Sequence, residues 1–530
     1  MVSRQRSDWL SDPVSTKRLS YLAIKRNAWT DDDDNNHTRV DQKNTSFTWY
    51  WCFRCCIVGS LLAGIGLAIV LTFWLTSKTV ATETLSTTTI QPTCNTSCLN
   101  QTWLSTASIL GKWRFENDYS DEFNLHNGIA TGSPSLVFVQ GYAGQAISFA
   151  ANSTQMVSTS YIPIANTSFS IDAWIYPTGL TNPTHQSICG LCPITVTDKC
   201  LHITLRKTGS IYPLYFGLYN DDVNTYTPAI VTNNWVHAAF VYDATNRTLS
   251  IYRNGIFLSG GSTSSVLKAT NGSFQIGNIP VLSQHITFQG YIDELSVSGR
   301  LKSACEILEQ ATLAARFSFD GSSPLLDLGP NSVSSVASNY NLVSGRTLQA
   351  ISFMGISTSF FQASGFLALG IADQPFSFSL WVKPQSLAGT IVHVSTNSSG
   401  TDFCAPFIGF SSNGSLIVQM MTNTSYVAIS YSTLSLTDFT HIVQTWSSTN
   451  GLRLYINNVL VGSIAATTYQ TASSWVNYVT LGGCLNGCMS CTTLPGNQVL
   501  PGPFAGVVDD FRVYSREVTA SDVCTLYTFG

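Results

Sequence analysis

Apolar and polar residues alternate with a period of two in many short segments of the C-terminal part of the chain. Residues 169–176 and 376–383 show this alternation most clearly. The period predicts β-strands with one face in a hydrophobic core and the other face outside it. Asn254-Gly255 lies between two such segments, and because both residues tolerate left-handed backbone we predict a hairpin turn there. Helical periodicity is confined to short pieces near residues 304–313 and 520–526.

The same ordered series of segments occurs twice, which indicates a tandem duplication. Five segments recur in one order, with most of their spacings kept. The pairs are Gln145–Phe149 with Gln349–Phe353, Phe169–Pro177 with Phe376–Pro384, Trp235–His237 with Phe439–His441, Leu249–Gly255 with Leu452–Asn458, and Phe288–Leu295 with Phe504–Phe511. We therefore predict an all-β ectodomain of two tandem antiparallel jelly-roll β-sandwiches, at residues 109–310 and 311–530.

An uninterrupted apolar run from Cys56 to Leu75 precedes the repeats. It contains no charged residue and would span about 30 Å as a helix. Residues 1–54 contain nine Lys or Arg, whereas Lys78 is the only basic residue in the thirty that follow the run. This asymmetry predicts a single-pass type II protein with an extracellular C-terminus, at the plasma membrane. The predicted segments are a disordered cytoplasmic tail (1–55), a transmembrane signal anchor (56–76) and a Ser/Thr-rich stalk (77–108).

Composition narrows the classes of partner. The 530 residues carry a net charge of -4 and only 11% are charged, so the chain has no extended basic field and nucleic-acid binding is not expected. Asn-x-Ser/Thr sequons are frequent after the apolar run, as expected for a glycoprotein of the secretory route. The nine predicted N-glycosylation sites are Asn95, Asn100, Asn152, Asn166, Asn246, Asn271, Asn397, Asn413 and Asn423.

The fourteen cysteines form two groups. The three beside the membrane are palmitoylation candidates or plain reduced thiols, namely Cys52, Cys55 and Cys56. The remaining eleven are disulfide candidates, namely Cys94, Cys98, Cys189, Cys192, Cys200, Cys305, Cys404, Cys484, Cys488, Cys491 and Cys524. Because eleven is odd, at least one stays free or pairs between chains, and we expect the odd thiol in the second repeat, which holds five.

Two cysteine spacings leave alternatives open. Cys94 and Cys98 could close a small local loop or bond a second chain, which would give a homodimer. The Cys-x-x-Cys pairs at 189–192 and 488–491 could be zinc or redox sites, but few histidines lie nearby and an oxidising compartment favours disulfides.

The closing motif of each repeat is the most specific feature of the sequence. Residues 502–523 read GPFAGVVDDFRVYSREVTASDV, and each repeat also contains F-S-x-x-x-W-x-x-P and L-x-L/I-Y-x-N-G/N. This order of motifs resembles laminin G-like domains of the concanavalin A-like lectin/glucanase superfamily, in two copies. The resemblance implies curved antiparallel sheets that bind ligands on the concave face or on rim loops.

The resemblance also implies a role for two pairs of residues. Asp293 and Asp509 follow glycine at the same spacing, where related domains often hold a structural Ca²⁺, so calcium is the one cofactor to consider; the alternative is a carboxylate that accepts backbone N–H bonds at a turn. Trp174 and Trp381 lie opposite the apolar positions of their strands, where they could stack on a sugar or be covered by a loop.

Catalysis is not expected. Glycosidases of this superfamily carry E-x-D-x-x-E or E-x-D-x-E on the active strand, and neither pattern occurs here. We predict that the tandem domains bind extracellular carbohydrate or protein in an adhesion or receptor role. The alternatives are a glycan-processing enzyme of the secretory pathway or cell surface, and a structural surface protein that associates with itself.

Overall fold

The computed structural model describes most of the chain after residue 107 and a short piece before it. Described are residues 94, 97–100, 108–180, 185–193, 199–218, 221–264, 266–282, 285–471, 477–488, 491 and 495–530, and all statements below concern these residues. Residues Thr89–Gly530 form one compact unit.

Domain 1 consists of sixteen strands followed by one helix among the described residues. The strands are β1 Ile109–Trp113, β2 Ile129–Thr131, β3 Val137–Gln140, β4 Gln145–Phe149, β5 Met156–Ser158, β6 Phe169–Pro177, β7 His185–Cys192, β8 Leu201–Leu205, β9 Leu214–Leu218, β10 Asp221–Asn224, β11 Val236–Asp243, β12 Thr248–Arg253, β13 Ile256–Ser262, β14 Ser273–Ile276, β15 His285–Thr287 and β16 Gly290–Ser298. The helix α1 spans Ala304–Thr312 and runs two residues past the predicted end of the first repeat.

Domain 2 begins directly after α1 and ends in a second helix, α2 (Ala520–Phe529). Its strands are β17 Leu313–Phe317, β18 Ser334–Ser338, β19 Tyr340–Ser344, β20 Gln349–Met354, β21 Phe360–Ser364, β22 Phe376–Pro384, β23 Thr390–Ser395, β24 Cys404–Phe410, β25 Leu416–Met421, β26 Tyr426–Tyr431, β27 Thr440–Ser447, β28 Gly451–Ile456, β29 Val459–Ile464, β30 Tyr478–Leu481 and β31 Ala505–Tyr514. Short 3₁₀ turns lie at Cys98–Asn100, Leu367–Gly370 and Leu485–Cys488.

Each domain is a sandwich of two antiparallel sheets, and the two domains share one strand order. In domain 1 one sheet runs β13-β12-β11-β6-β16-β4-β3 with β1 beside β16, and the other runs β10-β9-β8-β7-β14-β5-β2. In domain 2 the corresponding orders are β29-β28-β27-β22-β31-β20-β19, with β17 beside β31, and β26-β25-β24-β23-β30-β21-β18. The predicted tandem jelly rolls are therefore confirmed. Domain 1 adds β15, a short strand parallel to β7.

The apolar sides of the strands form one core in each domain. Phe169, Ile171 and Ile175 are at most 1% exposed in domain 1, and Phe378 and Leu380 are fully buried in domain 2. These side chains meet the facing sheet, as the period of two predicts.

The opposite side of these strands is also buried, so the prediction of one covered face is wrong. Ser170, Asp172 and Trp174 are at most 6% exposed, and Ser379 and Trp381 at most 3%. We call the sheets that contain β6 and β22 the helix-side sheets. Helix α1 packs on the outer face of the first through Ile307, and α2 packs on that of the second. Because each domain ends in a helix that returns over its own sheet, both faces are covered.

Ten of the eleven cysteines from Cys94 onward are paired. The disulfides are Cys94–Cys524, Cys98–Cys305, Cys192–Cys200, Cys404–Cys491 and Cys484–Cys488. The free thiol is Cys189 in domain 1 and not a residue of the second repeat, because Cys524 pairs outside domain 2. Cys94 and Cys98 close neither a local loop nor a bond to a second chain, and neither Cys-x-x-Cys pair closes on itself.

The predicted membrane segment lies outside the described residues. So do the cytoplasmic tail, the palmitoylation candidates Cys52, Cys55 and Cys56, and most of the stalk. Among the residues that the structure does describe, no helix is both long and apolar enough to cross a membrane.

Candidate functional site

The two aspartates predicted for calcium cap hairpin turns. Asp293 Oδ2 accepts hydrogen bonds from the backbone N–H groups of Tyr142, at 2.9 Å, and Ala143, at 3.1 Å. Asp509 Oδ2 accepts from Arg346, at 2.7 Å, and from the next residue. Asp293 therefore holds the turn between β3 and β4, and Asp509 holds the equivalent turn between β19 and β20.

This donor set fits a turn and not a cation. Calcium prefers carbonyl, carboxylate or water oxygens, whereas the groups aimed at Asp293 are N–H donors, including that of Glu294 at 2.8 Å. Burial and the adjacent Glu294 carboxylate raise the pKa of Asp293, which is fully buried. We derive no calcium-dependent step from these residues.

The acidic residue after each capping aspartate faces a different set of groups. Glu294 and Asp510 lie at a β-bulge with φ of 47° and 41°, so their side chains point to neighbouring basic residues. Glu294 bonds Lys112 Nζ and Arg114 Nε, each at 3.0 Å. Burial opposes the charge on Lys112, but the Glu294 carboxylate raises the pKa of that ammonium. Asp510 pairs in the same way with Arg512, at 2.6 Å.

A groove of about 970 Å³ lies between the two domains, with Lys112 and Arg114 on its floor. Its floor is the outer face of the first helix-side sheet at β1 and β16, one side is α1, and the facing wall is the loop 323–335 of domain 2. The floor reaches this wall directly, because Lys112 Nζ donates to the Pro330 carbonyl at 3.1 Å. The volume and the position at a domain interface are typical of ligand sites.

The floor also contains a buried ion pair. Lys302 Nζ contacts the Asp172 carboxylate and donates to Gln310 Oε1 at 2.8 Å, while Gln310 Nε2 donates back to Asp172 at 2.7 Å. Burial alone would raise the pKa of Asp172, but Lys302 and the nearby His237 lower it to about 2. The charges of the floor are thus neutralised within the protein.

Two equivalent loops supply apolar lips to the groove. Phe123, from the loop after β1, is 37% exposed, and Leu326 and Leu328, from the loop after β17, are 56% and 48% exposed. Asp121 braces the first loop by accepting from three backbone N–H groups. Asp327 braces the second in the same way. The lips are therefore apolar side chains on rigid loops.

Both predicted ligand-binding tryptophans lie outside the groove and are covered. Trp174 stacks on Tyr142 with ring centroids 3.4 Å apart, and Leu367 of domain 2 packs against this pair. Trp381 is covered by Tyr527 of α2, with centroids 5.5 Å apart. The structure gives the two indoles a packing role, which is the alternative that the sequence pattern also allowed.

The segment before domain 1 is linked to both terminal helices. Cys98 is bonded to Cys305 of α1 and Cys94 to Cys524 of α2. Between them, Ser97 Oγ donates to Asp522 of α2 at 2.7 Å. The last part of the predicted stalk is therefore part of the folded unit, and it holds together the two domains that form the groove.

The sequons for which the structure describes side chains lie on the surface. Six are exposed and Asn397 is half-buried; the six are Asn152, Asn166, Asn246, Asn271, Asn413 and Asn423. The structure does not describe the side chains of Asn95 and Asn100. The glycosylation sites stay predictions that this placement permits.

Sequence reasoning did not find the groove. The only signal in the sequence is that an aspartate follows the first strand of each repeat, at Asp121 and Asp327, within a short loop that contains large apolar residues. That pattern predicts two braced apolar loops, but it does not predict that they face one groove.

Comparison with known families agrees with this architecture. A laminin G family model, described as concanavalin A-like lectin/glucanases superfamily, matches residues 151–308 and 359–524. The chain belongs to this family. Each match covers most of one laminin G-like domain, so both repeats are members. Among curated proteins, none is similar enough in sequence to match this chain.

Several solved structures are similar to parts of the laminin G-like pair. Domain 4 of AbnA, a GH43 extracellular arabinanase from Geobacillus stearothermophilus, solved with arabinotriose, is 21% identical over 38% of this chain and 97% of its own, with a TM-score of 0.31. The Ruminococcus gnavus IT-sialidase CBM40 bound to α2,3 sialyllactose is 14% identical over 27% and 82%, with a TM-score of 0.24. The botulinum neurotoxin serotype G binding domain is 10% identical over 78% and 99%, with a TM-score of 0.31. At these scores the likenesses carry no argument about function.

Proposed function

We propose that the chain is a single-pass type II glycoprotein of the plasma membrane whose laminin G-like domains recognise an extracellular ligand in the groove between them. The observation that carries the proposal is the groove itself, which combines exposed apolar lips with a polar floor at the interface of the two domains. The two disulfides of the preceding segment support it, because they hold the groove walls in place without a ligand and so reduce the ordering cost of binding.

A protein segment is the ligand that suits these lips. Phe123, Leu326 and Leu328 can bury apolar side chains of an extended polypeptide, and burial of each large side chain contributes about 1.5–3 kcal/mol. Stacking of a sugar requires an exposed flat aromatic face. Trp174 and Trp381 are at most 6% exposed, and Phe123 is the one aromatic among the three lip residues, beside two leucines that suit apolar side chains. Carbohydrate remains the alternative ligand class for the test below.

Recognition without catalysis is part of the proposal. Three carboxylates in and beneath the groove are paired with cations of the protein: Glu294 with Lys112, Asp172 with Lys302, and Glu306 of α1 with Arg300 at 2.7 Å. A general acid for glycoside hydrolysis needs a raised pKa and a carboxyl group that can reach the substrate. The pKa of Asp172 is lowered to about 2, and Asp327, whose pKa is raised by burial, is buried and uses both oxygens to accept backbone N–H bonds. These pairings favour a binding surface.

The test uses the secreted unit, residues 89–530, which contains both cores and all five disulfides. It is applied to arrays of extracellular proteins and of glycans, with calcium or with chelator. We expect protein ligands to be retained in chelator. The double variant Leu326→Glu/Leu328→Glu should lower the affinity at least tenfold, because two acidic groups replace the apolar lip.

Leu436→Glu is the matched control, because Leu436 is 50% exposed and does not line the groove. Equal loss of affinity in the control and in the lip variant would contradict the proposed site. Binding to glycans alone would replace the protein ligand with the carbohydrate alternative, and loss of binding in chelator would restore the calcium prediction at Asp293 and Asp509.

The membrane topology needs a separate measurement on the full chain. Epitope tags at the two ends, detected on intact cells, should show only the C-terminal tag. A shift in mass after enzymatic removal of N-glycans should accompany it. Surface detection of the N-terminal tag would reverse the proposed orientation.

A further inference from the structure

The groove has a carboxylate on its domain 1 side where domain 2 has an apolar side chain. The backbone N–H of Glu122 donates to the Lys112 carbonyl at 2.8 Å, and that of Leu328 makes the matching bond to Arg316 at the same distance. Glu122 and Leu328 are therefore equivalent residues of the two lip loops. Both line the groove, and both are exposed, the Glu122 side chain by 44% and Leu328 by 48%. A ligand in the groove meets one acidic rim and one apolar rim.

The cation beside Glu122 is engaged mainly by other groups. Lys112 Nζ lies 3.0 Å from the Glu294 carboxylate and donates to the Pro330 carbonyl at 3.1 Å. Its distance to the Glu122 carboxylate is longer, at 3.5 Å. The Glu294 side chain is 5% exposed, whereas Glu122 faces the open groove. Glu122 can therefore accept a cation from a ligand while Lys112 keeps its two shorter contacts.

The ion pairs of the groove leave an excess of negative charge at this rim. Glu294 balances one of the two positive charges of Lys112 and Arg114. The more exposed carboxylates Glu122 and Glu116 lie 3.5 Å and 3.9 Å from these cations and together exceed the remaining positive charge by one. The other ion pairs of the groove each match one cation with one carboxylate. A positively charged ligand group is thus attracted to the rim, and an anionic one is repelled.

We infer that the groove binds an extended polypeptide segment in which Lys or Arg lies close to an apolar residue, with the cation at Glu122 and the apolar side chain against Leu326 and Leu328. The inference rests on the proposed function and names the class of segment that the groove accepts. Successive side chains of an extended chain point in opposite directions, so basic and apolar residues at odd spacing face the two different rims. Acidic segments and anionic glycans bring like charge to Glu122 and are disfavoured.

The experiment selects ligands from a library of random decapeptides displayed on phage. The targets are the secreted unit 89–530, the lip variant Leu326→Glu/Leu328→Glu and the charge variant Glu122→Gln. Peptides that bind the wild type but not the lip variant are groove ligands. Relative to the starting library, these peptides should be enriched in Lys and Arg next to apolar residues and depleted in Asp and Glu. Selection on Glu122→Gln should lose the enrichment in basic residues and keep the apolar ones.

A second measurement gives the size of the effect. Exchange of the basic residue for Gln in a selected peptide should lower its affinity about fivefold for the wild type and less than about twofold for Glu122→Gln. The matched control is Asp438→Asn, which removes an exposed carboxylate of domain 2 that does not line the groove, and it should retain the fivefold difference. The Glu122 side chain is 44% exposed, so its Gln variant should keep the thermal midpoint of the wild type.

The outcomes separate this inference from the proposed function. Groove peptides without a preference for basic residues, or a preference that Glu122→Gln retains in full, overturn the inference and leave the groove site standing. If no peptide distinguishes the wild type from the lip variant, the proposed function fails and the inference fails with it. A preference that Asp438→Asn also abolishes reflects net charge alone and overturns the role of Glu122. Loss of the preference in Glu122→Gln only supports the inference.

Discussion

The helix-side sheets of the two domains have the same strands but different chemistry under the helix. In domain 1, Asp172 on β6 pairs with Lys302, which precedes α1. In domain 2 the equivalent positions are Ser379 and Val518, as shown by the matching bonds from the backbone N–H of Lys302 to Ser170 and of Val518 to Ser377. A fold that closes over a serine and a valine does not need the ion pair.

The difference coincides with the surroundings of the two helices. Helix α1 is followed at once by β17 and forms one side of the groove, which Lys302 and Gln310 line. Helix α2 lies at the end of domain 2 and packs on Val443 and Tyr455 through apolar residues. Both helices keep the same basic–acidic pair at their start, Arg300–Glu306 in one and Arg516–Asp522 in the other. The basic–acidic pair at the start of the helix is thus common to both domains and belongs to the fold. The Asp172–Lys302 pair occurs only in the domain whose helix forms a side of the groove.

The largest expected effect on stability comes from replacing only one member of the Asp172–Lys302 pair with its domain 2 equivalent. Lys302→Val leaves the Asp172 carboxylate, 2% exposed, without its cation, and should lower the free energy of unfolding by about 3–5 kcal/mol. Asp172→Ser/Lys302→Val completes the exchange and should recover most of that loss. Denaturant unfolding of the unit 89–530 measures both variants.

The double variant is also the control for the role of the pair in the groove. If the ion pair serves binding, the double variant should be stable and yet bind the groove ligand more weakly. A single variant as stable as the wild type would contradict the importance of the buried pair. A double variant no better than the single one would mean that the domain 2 arrangement cannot be transferred.

The strands and hairpin turns could be predicted from the sequence, because they depend mainly on residues that are close together in the chain. The predicted hairpin is present, with φ of 50° at Asn254 and 82° at Gly255, and the equivalent turn of domain 2 has 48° at Asn457 and 66° at Asn458. The period of two identified the core-facing side of each strand. It could not show that Ser170 and Asp172 on the other side are buried, because α1 covers them from more than 100 residues further along the chain.

The candidate site depends on contacts that no local pattern encodes. Lys112 and Pro330 meet only because domain 2 is placed against domain 1, and this placement involves disulfides from Cys94 and Cys98 to the two helices. An odd number of cysteines predicts a free thiol but not its position. Cys189 is the free one because the other ten cysteines pair with one another, two of these pairs across long stretches of the chain.

A smaller effect on the free energy of unfolding is expected from the removal of disulfides. Cys98–Cys305 links the segment before domain 1 to α1, and Cys192–Cys200 lies within domain 1. Cys98–Cys305 spans 207 residues, whereas Cys192–Cys200 spans eight. Removal of the first with serine at both positions should cost about 2–4 kcal/mol of unfolding free energy, and removal of the second should cost less, because a longer loop restricts the unfolded chain more. Thermal and denaturant unfolding of the two double variants provide the measurement.

The same pair of variants tests the groove. Loss of Cys98–Cys305 should weaken groove binding, since α1 forms one side of the groove, and loss of Cys192–Cys200 should not. If both variants bind equally well, the Cys98–Cys305 disulfide does not help to preform the groove, even if its removal lowers the free energy of unfolding as expected.

The smallest expected effect is a difference in acid sensitivity between the domains. Burial lowers the pKa of His393 to about 4 and of His441 to about 3 in domain 2, and of His202 to about 4 in domain 1. Each folded-state pKa lies below the usual value of about 6.5, so below that pH the unfolded chain binds more protons. The stability that each neutral histidine contributes is complete above pH 6.5 and is lost as the pH falls toward the folded-state pKa.

At pH 5 each of these histidines should therefore cost about 2 kcal/mol relative to pH 7. Burial also raises the pKa of several carboxylates, which acts in the opposite direction; these are Glu116, Asp222, Asp293 and Glu309 in domain 1 and Asp327 and Asp509 in domain 2. The pKa of His185 in domain 1 is also lowered, but that side chain is only half-buried. The two fully buried histidines and the smaller number of raised carboxylates should therefore make domain 2 the more acid-sensitive domain. Hydrogen exchange of peptides from each domain, corrected for the intrinsic effect of pH, measures the difference. His441→Gln removes one titrating group and should reduce it; an equal loss of protection in both domains would contradict the assignment to buried histidines.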